Sequence, residues 1–401
     1  MAFIFVTMVV DSIGLGIIIP VGPKIIAALT HQDMAGAAEW SGWLFFVYAG
    51  MQFLSAPVIG NLSDRFGRRP VLIASLLALG IDYLITGLAP TIAWLFVARF
   101  LSGIAGASYT TVNAYIADIS PPEKRAANFG LTGAAFSIGF ILGPGIGGTL
   151  GELGPRVPFF FAAGLSLLNA LFGLFVLRES LKPEYRRKFE FKRANPIGAL
   201  YALKRLPGIF WLIVVMVLMR LAHDSNPAVF SFYVYAKFHW TPKMVGYALV
   251  AVGVLMAIVY GGLVRVVIPK IGETASVYLG LICGAIGFAG YAFATQSWEM
   301  FAFMVPFSLM AFVTPALSAI MSKMVGPSEQ GELQGALACI GSLTSVVSPP
   351  LLSKLFAYFS GKEAPVYFPG AAFLAASLFL VAAALVFTRM RAQRHELQPA
   401  E

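Results

Sequence analysis

The sequence predicts an all-α membrane protein: twelve transmembrane helices in two six-helix pseudo-repeat bundles, with the N- and C-termini both cytoplasmic. Three observations carry this reading. Of the 401 residues, 58% are hydrophobic and only 12% charged, with a mean hydropathy of +0.80; an ordinary soluble domain is about a quarter charged. Apolar runs of roughly 20 residues, enough helix to cross about 30 Å of hydrocarbon, recur along the whole chain. Sliding the second half onto the first at an offset of 205 superposes Gly67 on Gly272, Asp118 on Lys323, Gly130 on Gly335 and Pro144 on Pro349. Apolar similarity alone does not keep loop and helix landmarks in one register, so the halves read as repeats of like orientation.

The expected spans are 3–25, 41–61, 70–89, 92–116, 127–150, 157–177, 209–235, 244–267, 275–294, 299–321, 333–357 and 367–388. The first lacks a basic leading region and a small-residue cleavage site, so it is expected to be a retained helix rather than a signal peptide. Residues 178–207 form a polar stretch with nine basic residues against three Glu, read as a cytoplasmic linker between bundles at 1–177 and 208–401. The basic face of that linker suits the bilayer surface.

Charge supports the orientation. With a cytoplasmic N-terminus, 20 of the 28 Lys and Arg fall in cytoplasmic segments, six on the other side, and two, Arg99 and Arg220, within spans. Lysine and arginine gather in cytoplasmic loops, so the net charge of +9 states topology and gives no evidence for a nucleic-acid partner. Cys283 and Cys339 lie in apolar runs and imply neither a disulfide framework nor a metal site. Four scattered histidines, His31, His223, His239 and His395, add no metal cluster, and no glycine loop before a lysine provides for ATP. An enzyme would need a catalytic constellation, and none is visible. No cofactor is expected, and energy must come from a gradient.

Residues 60–69, GNLSDRFGRR, join the second and third spans by a tight loop with two glycines, an acid and three cations. A simple basic hairpin explains the arginines but neither Asp64 nor the spacing of Gly60 and Gly67. The loop resembles the signature of the major facilitator superfamily, Gly-x-Leu-x-Asp-Arg-x-Gly-Arg-Arg, at Gly60, Leu62, Asp64, Arg65, Gly67, Arg68 and Arg69. Asp64 and Asp118, the acid of YIADISPPEKR, are expected to compete for cations as latch residues. Charge pairs made in only one conformation shift the balance between states, so Asp64, Arg65, Gly67, Arg68, Arg69 and Asp118 are gating candidates. In the second half, PKIGE keeps the glycine but loses the acid and two arginines, which predicts an asymmetric latch.

The fifth span carries Gly130, Gly139, Gly143, Pro144, Gly147 and Gly148 in GLTGAAFSIGFILGPGIGG. Small residues at such spacings permit close helix packing and proline bends a helix; the pattern resembles the antiporter motif of the same superfamily. The eleventh span holds a relaxed copy in Gly335, Thr344, Ser348 and Pro349.

Charges inside spans cost roughly 2.5–3.5 kcal/mol each on insertion scales and need a cavity or a partner. Arg99 of the fourth span resembles the superfamily arginine associated with proton transfer; a helix-pairing role is the alternative. Asp11 and Asp82 are candidate proton carriers, because a carboxyl group held away from water favours its neutral form; a hydrated acid near a helix end is the alternative. In VMVLMRLAHDSNPAVF, residues 215–230, Arg220, His223 and Asp224 share one helical face. Two readings stand for them: a static Arg220–Asp224 pair, or a coupling site in which His223 titrates near neutral pH and Pro227 breaks the helix. Phe230 and Tyr233 after them, with Gln52, Tyr109 and Asn113 on the second and fourth spans, are candidates for an amphipathic substrate cavity.

Taken together, VVDSIGLGIIIPVGP, SAPVIGNLSDRFGRRPVL, ARFLSGIAGA, YIAD and GPGIGG resemble the tetracycline-efflux branch of the drug and proton antiporters. The resemblance implies export of a drug-like compound in exchange for a proton across a bacterial inner membrane. It makes any divalent cation part of a chelated substrate. Its partners are the small molecule, protons and lipid, with no obligate protein partner. The branch carries a histidine and an acid where Met256 and Gly284 stand, so the coupling groups have moved or the exported compound differs. A metabolite importer or uniporter, or a membrane receptor without transport, are the competing classes.

Overall fold

Fifteen α-helices and a few short 3-10 and π turns account for nearly all of the described backbone in the computed structural model, which describes residues 2–121, 124–187, 209–326 and 329–396. Most of the expected linker at 178–207 falls outside them. The first half holds α1 (Ala2–Ile18), α2 (Gly22–Thr30), α3 (Met34–Phe66), α4 (Arg68–Leu88), α5 (Ile92–Gly106), α6 (Tyr109–Ile119), α7 (Arg125–Gly151) and α8 (Val157–Val176). The second holds α9 (Phe210–Phe238), α10 (Pro242–Ile258), α11 (Val264–Phe293), α12 (Ser297–Leu309), α13 (Val313–Ser322), α14 (Gln330–Ser360) and α15 (Ala371–Glu396).

Among the described residues, ten helical runs are long and apolar enough to cross a membrane, or eleven if the bent pair α1 and α2 is one span. One run, Pro242–Phe293, has 52 residues, about 78 Å of helix, far more than one crossing needs. It is interrupted at Gly272, whose φ of 81° and ψ of 162° are not helical. Gly67, between α3 and α4, has φ 103° and ψ 161°. The two glycines 205 residues apart thus make the same turn, in a region of backbone space that a Cβ disfavours. Other spans bend where the sequence supplies small residues or proline. The fourth breaks at Ala107–Ser108 into α5 and α6, and the tenth passes through a 3-10 turn at Met310–Phe312.

By internal contacts the described chain forms two units. One contains α1 to α8 together with His239–Gly253; the other contains α9 and the chain from Val254 onward. In the first unit α1 packs on α7 and α8, and α4 on α5 and α8. In the second, α9 packs on α14 and α15, and α11 on α12, α13 and α15. Numbered as spans, these are the same neighbours: first with fifth and sixth, third with fourth and sixth. The register found in the sequence is therefore a register of packing. Leu54, Leu168, Phe175 and Leu385 remain exposed, as side chains that face lipid do.

The fifth-span glycines explain their own spacing. Gly139, Gly143 and Gly147 fall on one face of α7, where a Cβ would meet the backbone of Val9, Ile13 and Ile17 of α1. On the adjoining face, Gly148 lies against Pro242 and Gly246 of α10, and Gly246 against Pro144. Gly130, by contrast, has nothing near its missing Cβ. Gly143→Val is expected to cost about 1–3 kcal/mol through overpacking, whereas Gly130→Ala is expected to be neutral or slightly stabilising; melting curves of the purified variants distinguish them.

Candidate functional site

The signature loop closes around Arg68. Its Nη1 donates to Asp64 Oδ1 at 2.5 Å and to Ser63 Oγ at 2.6 Å, and its Nε to Asp118 Oδ2 at 3.2 Å. Arg68 is largely buried, so the acids offset a charge with little access to water. Glu179, just past α8, accepts from the backbone N–H of Arg68 and Arg69 at the start of α4. Ser180 Oγ donates to Asp118, and Arg69 donates to the carbonyl of Leu174. Arg65 lies over the ring of Phe66. Asp64 and Asp118 thus share one cation. The contribution of Glu179 was hidden in a stretch that reads as linker.

Deeper in the first unit, Asp82 of α4 is fully buried and accepts from Arg99 Nη2 of α5 at 2.8 Å. Asp82 and Arg99 stand within one residue of equally far from the middle of the turn joining these helices, so an antiparallel hairpin brings them nearly level. That arithmetic was available in the sequence. Asp11 lies apart from the pair. One of its oxygens, Oδ1, is buried without a hydrogen-bond partner. It lines a cavity of about 30 Å³ with Thr7, Ser12, Ser108 and Tyr109, room for a water molecule or two. Gln52 is engaged by the fourth-span break, its Nε2 donating to the carbonyl of Gly106 at 3.2 Å. Tyr109 and Asn113 are both exposed, and of these two only Tyr109 lines the Asp11 cavity.

The second unit corrects three expectations. Arg220 and Asp224 do not pair. Asp224 instead accepts from Ser348 Oγ of α14 at 2.5 Å and lies 3.5 Å from His223 Nδ1. Arg220 lies beside Gly341 of α14 and, among the described residues, makes no ion pair; its Nε is buried without a partner. The face is real, but both groups turn to the neighbouring helix rather than to each other. Nor does Pro227 end the helix, since α9 runs unbroken from Phe210 to Phe238; proline removes one backbone donor and the flanking turns hold. Phe230 and Tyr233, expected at a substrate cavity, are instead packed into the core of the second unit. Both are buried in an aromatic cluster with Tyr291 and Phe373, where Tyr233 also donates to the carbonyl of Tyr291 at 2.6 Å. Filling the core is what large rings do first.

Ser348 was noted only as part of a relaxed glycine motif. It is the repeat equivalent of Gly143, which touches α1, so position 348 had to face α9. Among the described residues no group of three His, Cys, Asp or Glu is placed to hold a metal ion.

The comparisons with known proteins agree with this architecture. The sequence matches the Major Facilitator Superfamily over residues 4–310 and 269–401. It is 37% identical to "Tetracycline resistance protein, class C" of Escherichia coli, covering 88% of each chain. It is 32% identical to "Multidrug resistance protein 2" of Bacillus subtilis (strain 168), covering 86% of each. Among solved structures, the nucleoside transporter NupG superposes with a TM-score of 0.77 at 12% identity, over 97% of this chain and 98% of that one. A bacterial homolog of the lysosomal transporter Spinster gives 0.77 at 16%, over 97% and 96%. The helical repeats, the signature loop and a match along nearly the whole chain place this protein in the major facilitator superfamily.

Proposed function

We propose that the protein is a secondary active exporter that exchanges a drug-like amphipathic compound for protons by alternating access, with twelve crossings and both termini cytoplasmic. Its expected location is a bacterial inner membrane. Family membership and the relatives named for tetracycline and multidrug resistance support the class. The observation that carries proton coupling is Asp11, an intramembrane carboxylate with one oxygen unpartnered beside a cavity that admits water. Asp82 and Arg99 form the second element of the proposed relay. In the other half, Asp224, His223 and Arg220 form the third. Gln52, Tyr109 and Asn113 are the proposed substrate contacts. Arg68 with Asp64 and Asp118 is the proposed gate, and residues 178–207 the linker between bundles at 1–177 and 208–401. No cofactor is needed in this scheme.

Tetracycline chelated to a divalent cation is the first compound to try, but one observation favours a different cargo or a displaced coupling site. Gly284 stands where the resemblance implies an acid, and a Cβ there would come within 2.9 Å of Leu380 and 3.1 Å of Met310. An acid at that position would require the Leu380 and Met310 side chains to shift. The test uses purified protein in acid-loaded liposomes with a pH-sensitive dye. Magnesium-tetracycline is expected to trigger proton efflux; absence of flux removes tetracycline and calls for a panel of cationic, zwitterionic and neutral compounds. For whichever compound is carried, Asp224→Asn is expected to alter the pH dependence of exchange. An unchanged profile would remove this helix face from the coupling path.

A further inference from the structure

The second half carries an ion pair of its own at the positions equivalent to Arg68 and Asp118. Glu273 is the repeat equivalent of Arg68, and Lys323 of Asp118. Lys323 Nζ donates to Glu273 Oε1 at 2.5 Å. Each pair begins one residue after a glycine with the same non-helical backbone, Gly67 or Gly272. We propose that Glu273 and Lys323 form a second gating clasp, a charge-reversed counterpart of the Arg68–Asp118 clasp. An ion pair is unchanged in kind when its charges are exchanged, so a repeat can keep the clasp while losing the motif by which a sequence comparison finds it. The predicted asymmetric latch is therefore asymmetric in polarity and strength, not in having one member. This inference rests on the alternating-access reading.

The polarity has a physical consequence. A helix N-terminus carries partial positive charge and a C-terminus partial negative charge. In the first clasp, Arg68 opens α4 and Asp118 sits at the end of α6, each on the end that disfavours it. Asp64 and Ser63, the carboxylate of Glu179 over the start of α4, and Ser180 on Asp118 offset this. In the second, Glu273 follows the break at Gly272 and Lys323 follows α13, each on the end that favours it. Pro269 stands where Asp64 would be and offers no second acid. The Lys323 side chain is 69% exposed, whereas that of Arg68 is 10% exposed. The first clasp strongly prefers to be closed, since its charges have poor surroundings when parted. The second loses little on opening and is the half that yields first.

The test compares Glu273→Lys, Lys323→Glu and the double exchange in full-length protein reconstituted in liposomes. Each single reversal is expected to lower turnover by a factor of about five, near the upper range for an exposed pair, with KM unchanged, and the double exchange to recover part of that loss but to stay below wild type, because each charge then sits on the helix end that disfavours it. Milder Glu273→Gln and Lys323→Gln changes replace any reversal that fails to fold. Hydrogen exchange of peptides covering 266–276 and 318–326 in nanodiscs supplies a readout needing no substrate. Exchange there is expected to quicken in each single variant and to slow again in the double. If wild type carries no magnesium-tetracycline, that arm still decides the matter. Singles indistinguishable from wild type, or a double as impaired as its worse parent, would overturn the clasp. A loss of melting temperature shared by all variants without any change in turnover or exchange would also overturn it, leaving only a structural tie.

Discussion

Replacing Asp82 with alanine is expected to destabilise the protein by about 3–5 kcal/mol, because the change leaves a buried guanidinium without its counter-charge. The pair joins α4 to α5 at 2.8 Å, with Asp82 inaccessible and the Arg99 side chain only 18% exposed. A double change to Asp82→Leu with Arg99→Leu is expected to recover most of the loss, since apolar residues of similar volume often replace a buried pair at little cost. Thermal unfolding in detergent measures both. A double variant no better than the single would show that the destabilisation comes from lost packing and not from stranded charge. Transport separates the two roles further: the double variant is expected to fold and yet to lose proton coupling, so stability and function part company at one site.

Asp11→Asn is expected to abolish substrate-triggered proton flux while leaving the fold intact. The amide has the shape of the acid, and Oδ1 has no hydrogen bond to lose. A melting temperature within about 1 °C of wild type, equivalent to less than about 1 kcal/mol in a protein of this size, together with flux at background, would place the first span in the proton path. Persistent flux would leave Asp82 as the acid to pursue in this half.

The architecture was legible because hydrophobic length and a fixed offset do not depend on tertiary detail. Gly67 and Gly272 were aligned from sequence, and both adopt the same turn. The Arg68 cluster was legible in part, because Asp64 and Arg68 lie on one short motif and Asp118 on a second recognisable stretch, whereas Glu179 lies on neither. Side-chain partnership was harder. Arg220 and Asp224 are one turn apart on one helix, which made them look like a pair, but neighbours on α14 offered Asp224 a hydroxyl and Arg220 a glycine-lined space. Spacing along a helix says which residues share a face and nothing of what that face meets. Phe230 and Tyr233 failed for a related reason, since aromatic side chains serve a core and a cavity equally well, and only packing decides. Glu273 and Lys323 do not stand out in the sequence because they reverse the charges of the first-half motif.

The level meeting of Asp82 and Arg99 across a short turn also bears on how the chain enters the bilayer during synthesis. Either helix alone would carry an uncompensated charge into hydrocarbon, at roughly 2.5–3.5 kcal/mol for the arginine. Inserted together as a hairpin, the two neutralise each other before either meets lipid. The third span is therefore expected to wait in the translocon until the fourth has emerged, so that the same contact that serves the mature carrier also schedules its birth.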